Sequence, residues 1–122
     1  MANADIRVKR IYDPVGGNDG KRILIDRLWP RGMSKTRAAL DAWLPDIGPS
    51  HELRKWYAHR PERWSEFCER YREELARRTE LLQELMEAAE EGPLTLLFSA
   101  TNRDRNQAVV VRQLLQEKSD SR

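Results

Sequence analysis

What this chain has little of narrows its class before any motif does. It holds a single cysteine, Cys68, which cannot form an internal disulfide, so no oxidising compartment is indicated and a cytoplasmic protein is expected. Its two histidines, His51 and His59, stand beside surface charges without the clustered partners that a zinc site requires, so neither a metal nor a cofactor is expected. No stretch approaches the ~20 apolar residues of a membrane span, and Met1 to Asp5 is too short and polar to begin a secretory signal. No membrane partner is therefore expected. Charge of one sign is scarce as well: 22 Lys and Arg against 20 Asp and Glu leave a net of +2, less bias than a genome-coating or ribosomal role calls for. The 122 residues leave room for one domain, 1–122, and for no second.

The positive charge that is present is concentrated. From Lys21 to Arg37 the chain carries six basic residues and one acid, Asp26, a local net of +5, so everything else sums to −3. The stretch KRILIDRLWPRGM, Lys21 to Met33, runs from an apolar strand directly into this charge. Ile23, Leu24 and Ile25 read as a short buried strand that meets solvent at Asp26 and Arg27. Pro30, without an amide hydrogen, and the permissive Gly32 keep any regular element from continuing.

Ile6 to Ile11 alternates apolar and basic residues and reads as the first strand. Tyr12 to Gly20, with three glycines and a proline, reads as a mobile surface turn; GGNDG lacks both the Gly-x-Gly-x-x-Gly and the Walker spacing, so it is not read as a nucleotide loop. Ser34 is placed to cap a short helix from Lys35 toward Leu40. Pro45 and Gly48 break the segment from Asp41 to Gly48, and Ser50 caps a helix ending near His59 whose inner face is Leu53, Trp56 and Tyr57.

From Pro61 an apolar stripe of Trp64, Phe67, Cys68, Tyr71 and Leu75, extended by Leu82, Leu85, Met86 and Ala89, predicts one long helix to about Glu90. Arg77, Arg78 and Thr79 blur the stripe and allow a kink or break there, while Glu73 to Arg77 and Glu74 to Arg78 have ion-pair spacing. Leu94 to Phe98 is a second buried strand, followed by a helix from about Arg103 to Glu117 and a polar tail, 118–122, expected to fray. The sum is an α/β fold: a small, mainly parallel sheet of three or more strands flanked by helices, one of them long.

Strands joined through helices are normally parallel, and ligands of such sheets sit outside the carboxyl ends of the strands. Parallel pairing of the Ile23 and Leu94 strands would bring Asp26 to Arg31 together with Ser99 to Asn102. Arg27 and Arg31 then offer bidentate forks for a phosphate or carboxylate, Ser99 and Asn102 precede a helix N-terminus that favours anions, and Lys35 and Arg54 are further cations. A small anionic ligand is the expected partner, and Asp26 is the candidate catalytic residue, although no particular reaction is specified.

Each residue also has a plainer role. Arg27 alternates with Ile25 and is a candidate for an inward ion pair with a helix acid such as Glu74. Asp26 could only orient an arginine, Trp29 could cover a core edge instead of stacking on a ligand, and Trp43, Trp56 and Trp64 are assigned to packing. Cys68 reads as an inert buried thiol. The alternative function is a nucleic-acid or protein interaction module whose patch is Arg22, Trp29, Arg31, Arg103 and Arg105.

Several of these segments also carry a resemblance. DRLWPRG at Asp26 to Gly32, PSHELRKWY from Pro49 to Tyr57, the Glu69 to Tyr71 and Glu74–Leu75 positions of the long helix, and LTLLFSA followed by Asn106 and Ala108 resemble the YeaO-like branch of a bacterial domain-of-unknown-function family. The resemblance covers nearly the whole chain, and implies a compact α/β domain of cytoplasmic type and no particular reaction. Relatives of this branch tend to read Asn-His where this chain has Asn106 and Gln107, and more distant members carry Cys-His there with a cysteine near Phe98. With neither thiol nor imidazole at those positions, covalent or metal chemistry at the last helix start is disfavoured, and neutral hydrogen bonding by Asn106 and Gln107 is what remains.

Overall fold

The computed structural model describes residues 4–121. Alternating apolar residues make Ile6–Arg10 strand β1, and Lys21–Leu24 is β2. Lys35–Ala38 forms a one-turn helix, α1, whose Ser34 cap accepts from the Arg37 amide. A two-residue strand β3, Ala42–Trp43, and a 3-10 turn at Pro45–Ile47 lead to α2, His51–Tyr57, capped by Ser50. Then follow α3 (Trp64–Leu75), α4 (Thr79–Glu91), β4 (Leu94–Phe98) and α5 (Gln107–Asp120).

The sheet order is β1-β4-β2-β3 and every neighbouring pair is parallel. Ile6 and Lys21 both register with Leu94, which makes β4 the central strand, and its five residues are all buried. One face of the sheet presents Ile6, Ile23, Leu96 and Phe98 to helical residues such as Leu53, Tyr71, Leu85 and Val111. The other face, Leu24 and Leu97, is covered by Ile11, Met33 and Ala38 with Trp29 and Leu40 against them. An all-parallel sheet has both faces covered, and here the basic stretch itself supplies the second cover.

Several local expectations are corrected. The apolar stripe from Pro61 to Glu90 is not one helix: it starts with a 3-10 turn at Pro61–Arg63 and is interrupted between Leu75 and Thr79, at the blurred positions. Glu74 does not pair with Arg78; its carboxylate accepts from the Ser50 amide at 2.8 Å and hydroxyl at 2.5 Å, fastening the start of α2 to α3. The last helix begins at Gln107 instead of Arg103, because the Asn102 side chain accepts from the amides of Asp104 and Arg105 in a turn of its own and Asn106 takes the cap. It continues to Asp120, and Arg122 of the polar tail lies outside the described residues.

The turn at 12–20 is anchored, against expectation. Asp19 is 5% exposed; it accepts from Arg22 at 2.5 Å and from Lys9 at 3.1 Å, and its carbonyl accepts from Thr95 of β4 at 2.7 Å. Arg22, 4% exposed, spends its remaining donors on the carbonyls of Ala38 and Ala39. It is therefore an interior tie between β2 and α1 and cannot belong to a surface patch.

Candidate functional site

The carboxyl ends of β1, β2 and β4 meet, and polar side chains join them. Arg10, the last residue of β1, donates to the carbonyls of Ser99 and Ala100 beyond β4 at 3.1 and 2.8 Å. Asp26, two residues past β2, accepts from the Ser99 amide at 2.9 Å with one carboxylate oxygen and from the Gln107 side-chain amide with the other. Two strand ends and the first turn of α5 thus converge on one carboxylate. Burial pushes the Asp26 carboxyl up, against the opposing pull of the Ser99 and Gln107 hydrogen bonds and of the Arg54 charge.

Above this carboxylate opens a cavity of about 300 Å³ lined by residues of four segments. From the basic stretch come Asp26 to Arg31; from α2 and its ends Pro49, Arg54, Tyr57 and His59; from α3 Phe67; from the last loop and helix Ser99, Ala100, Arg105, Asn106 and Gln107. Burial divides the lining. Asp26, Tyr57, Phe67 and Asn106 are buried and make the floor and inner wall, whereas Arg31, Arg54, His59 and Arg105 are exposed at the mouth.

Not every candidate residue is there, and not all that are there are free. Lys35, on the exposed side of α1, and Asn102, committed to its turn, do not line the cavity. Asn106 lines it, but as the α5 cap it accepts from the Val109 amide and donates to the carbonyls of Asn102 and Arg103, which leaves it a structural part. Arg27 does not pair with Glu74; it donates to the carbonyls of Pro49 and Gly48 at 3.0 and 2.7 Å and lies 3.7 Å from Asp46. Gly48 lets the two backbone segments lie close together, since a Cβ there would meet the Arg27 backbone nitrogen at 2.9 Å. Trp29 uses its indole N–H on the Met33 carbonyl at 2.6 Å and meets Trp43 edge-on, so only its ring faces remain for other contacts. Trp43, on the short edge strand, packs against Trp29 and donates its N–H to the Asp26 carbonyl, while 39% of it stays exposed.

Arg31, Arg54 and Arg105 differ from Arg27: none of their guanidinium groups is hydrogen-bonded or ion-paired among the described residues. Arg103, proposed beside Arg105 in a surface patch, is bound through both terminal nitrogens to Asp13. With Arg22 interior and Arg103 engaged, that patch does not exist as a continuous array. Cys68 is half-buried, and burial pushes its thiol up, away from the thiolate.

Tyr57, His59 and Phe67, which the sequence pattern assigns to core or surface, also line the cavity, the first and last on its wall and His59 at its mouth. Tyr57 is 8% exposed, its ring centroid lies 4.6 Å from that of Phe67, and its hydroxyl has no hydrogen-bond partner among the described residues. Burial raises its phenol, and the nearby Arg105 charge opposes that rise. The usable signal was spacing: Arg54 stands three residues before Tyr57 and so lies on the same helical side. His59 carried no such signal. Ala58 and His59 both adopt left-handed backbone, φ 47° and 56°, and that double turn swings the imidazole to the mouth.

Residues 5–122 match a family model described as the inactive DUF488-N3 subclade. The uncharacterized protein YeaO of Escherichia coli is 47% identical over 107 residues, which cover 88% of this chain and 93% of that protein. The uncharacterized proteins Mb3100c of Mycobacterium bovis and Rv3073c of Mycobacterium tuberculosis are each 40% identical over 110 residues, 90% of this chain and 92% of theirs. No solved structure matches the chain significantly.

Proposed function

This chain belongs to the inactive DUF488-N3 subclade, and from that premise we propose that its cavity binds a small anionic ligand, bearing phosphate or carboxylate, without transforming it. The observation that carries this reading is the set of Arg31, Arg54 and Arg105 around one hollow, with no acceptor of their own among the described residues. Three fixed positive charges over one buried carboxylate give the mouth a net positive potential, and a guanidinium fork left open is suited to phosphate or carboxylate geometry. The first turn of α5 adds amide hydrogens and a dipole of the same sign at the cavity edge. The absence of a thiol or imidazole at Asn106 and Gln107 fits binding better than covalent or metal chemistry, and Asp26 acts in this reading as the tie between strand ends.

Thermal unfolding in the presence of ribose 5-phosphate, inorganic phosphate and malate tests the proposal, because a ligand selective for the native state raises the midpoint. The wild-type protein should show a saturable rise with at least one of them. Replacing both Arg54 and Arg105 by alanine should weaken binding at least roughly tenfold, as expected for loss of charge-assisted hydrogen bonds, whereas Arg37→Ala on α1 should leave it unchanged. No rise with any probe, or equal rises in wild type and the double variant, would overturn the reading.

A further inference from the structure

The cavity is charged unequally from bottom to top, and that polarity restricts which anion fits. On the floor, Asp26 is 7% exposed and brings a carboxylate, and the side-chain carbonyl oxygen of Gln107, one of whose two amide hydrogens goes to Asp26, has no donor among the described residues. These are acceptors. A phosphate or carboxylate pushed down to them would meet like charge in a low-dielectric site, whereas an amino or ring N–H group would be accepted. At the mouth, Arg31, Arg54 and Arg105 are donors only. The Tyr57 hydroxyl, solvent-accessible and without a hydrogen-bond partner among the described residues, belongs to the same lining and is within electrostatic reach of Arg105. Trp29, Pro30, Tyr57 and Phe67 also line the cavity and supply apolar surface, three of them aromatic, suited to a planar body.

From this arrangement we infer that the ligand is a nucleoside monophosphate or a molecule of the same chemical plan: a flat ring with N–H donors turned down to Asp26 and Gln107, and a phosphate held at the arginine mouth. The inference rests on the anion reading of the same cavity and adds an orientation and a ring to it. The size agrees. About 300 Å³ is at the small end of ligand pockets, which run ~300–1,000 Å³, so one ring system with one short phosphorylated link is accommodated and a dinucleotide is not. Stacking on the aromatic lining is tolerant of ring identity, since every base has a π-face. The floor supplies the selection: the Asp26 carboxylate and the Gln107 carbonyl answer ring N–H donors, whereas a ring edge that offers only acceptors finds at most one Gln107 amide hydrogen.

Calorimetric titration of the wild-type protein with the four nucleoside 5′-monophosphates, the corresponding nucleosides and ribose 5-phosphate decides it. At least one nucleotide should bind roughly tenfold or more tightly than both its nucleoside and ribose 5-phosphate, a gap of about 1.4 kcal/mol. Ribose 5-phosphate binding as tightly as the best nucleotide would overturn the ring and leave the anion reading standing. Nucleosides matching their nucleotides, or no binding by any member of the series, would overturn both. Asp26→Asn is a second arm: the nucleotide should lose its advantage while ribose 5-phosphate binds as before or more tightly, since one negative charge has gone. Ribose 5-phosphate binding in that variant reports an intact site, and an unchanged nucleotide preference there would overturn the role given to the floor.

Discussion

One carboxylate oxygen of Asp26 lies 2.9 Å from the amide nitrogen of Ser99, so the chain leaving β2 is hydrogen-bonded to the chain leaving β4. The parallel pairing of the two strands brings them side by side, and this contact keeps their exits together where the sheet hydrogen bonds end. The floor of the cavity is therefore part of what holds the fold.

Asp26→Ala should cost stability for that reason. Ser99 would keep a half-buried amide without an acceptor and Gln107 an amide without its carboxylate, a loss of about 1–3 kcal/mol. Asp26→Asn retains one acceptor and should cost less. Urea denaturation midpoints check the order; an alanine variant as stable as wild type would mean that the carboxylate is not a tie.

Arg27 and Arg31 have equivalent places in the sequence and opposite ones in the structure. Arg27 satisfies the carbonyls of Gly48 and Pro49, so Arg27→Ala should destabilise the protein by about 1–3 kcal/mol. Arg31 is exposed, and Arg31→Ala should stay within about 0.5 kcal/mol of wild type while weakening anion binding. Chemical denaturation of both variants beside ligand titration separates the roles. Equal losses of stability would contradict the division.

That contrast shows what the sequence could carry. The parallel sheet, the buried Leu94 to Phe98 strand, the Ser34 and Ser50 caps and the convergence of Asp26 with Ser99 follow from apolar runs, capping residues and the rules of parallel sheets, all of them local signals or fold-level regularities. The partner of a long charged side chain is not a local signal. Arg27 found two carbonyls instead of Glu74, Glu74 found Ser50, and Arg22 went inside because Asp19, in a glycine-rich turn that looked mobile, is held there by Lys9 and Thr95. The mouth of the cavity was half legible, since Arg54 and Tyr57 share a helical side. His59 depended on two left-handed residues for which the sequence offered no glycine as a marker.

Asp19→Ala should be among the most damaging single substitutions. It leaves the Arg22 guanidinium buried with carbonyl partners alone and removes the anchor of the 12–20 turn; breaking a buried pair from one side costs about 3–5 kcal/mol. Amide hydrogen exchange should show faster exchange through Tyr12 to Gly20 together with a lowered unfolding midpoint. A fall of less than about 1 kcal/mol would show that the pair is dispensable.

The acid side of the stability profile should carry a contribution from Asp13. Its bidentate hydrogen bonds from Arg103 lower the Asp13 carboxyl to about 2. A carboxyl depressed in the folded state contributes stability that is complete above the ordinary carboxylate range and is lost as pH falls through the folded value. Wild type should therefore exceed Asp13→Asn in stability at neutral pH, by a small and salt-sensitive margin because Arg103 is exposed, and the two should converge as the pH approaches about 2. A margin that widened in acid would have the wrong sign.

Amide chemical shifts of the labelled protein, followed while ribose 5-phosphate is added, test most directly whether the hollow at the carboxyl ends of β2 and β4 is an anion site. Saturable shifts should centre on Ser99, Arg105, Gln107 and Ala108 and on the Gln107 side-chain amide, and should be lost when Arg54 and Arg105 are both alanine. Shifts confined to the exposed basic turn around Lys35 and Arg37, or none at all, would contradict the account.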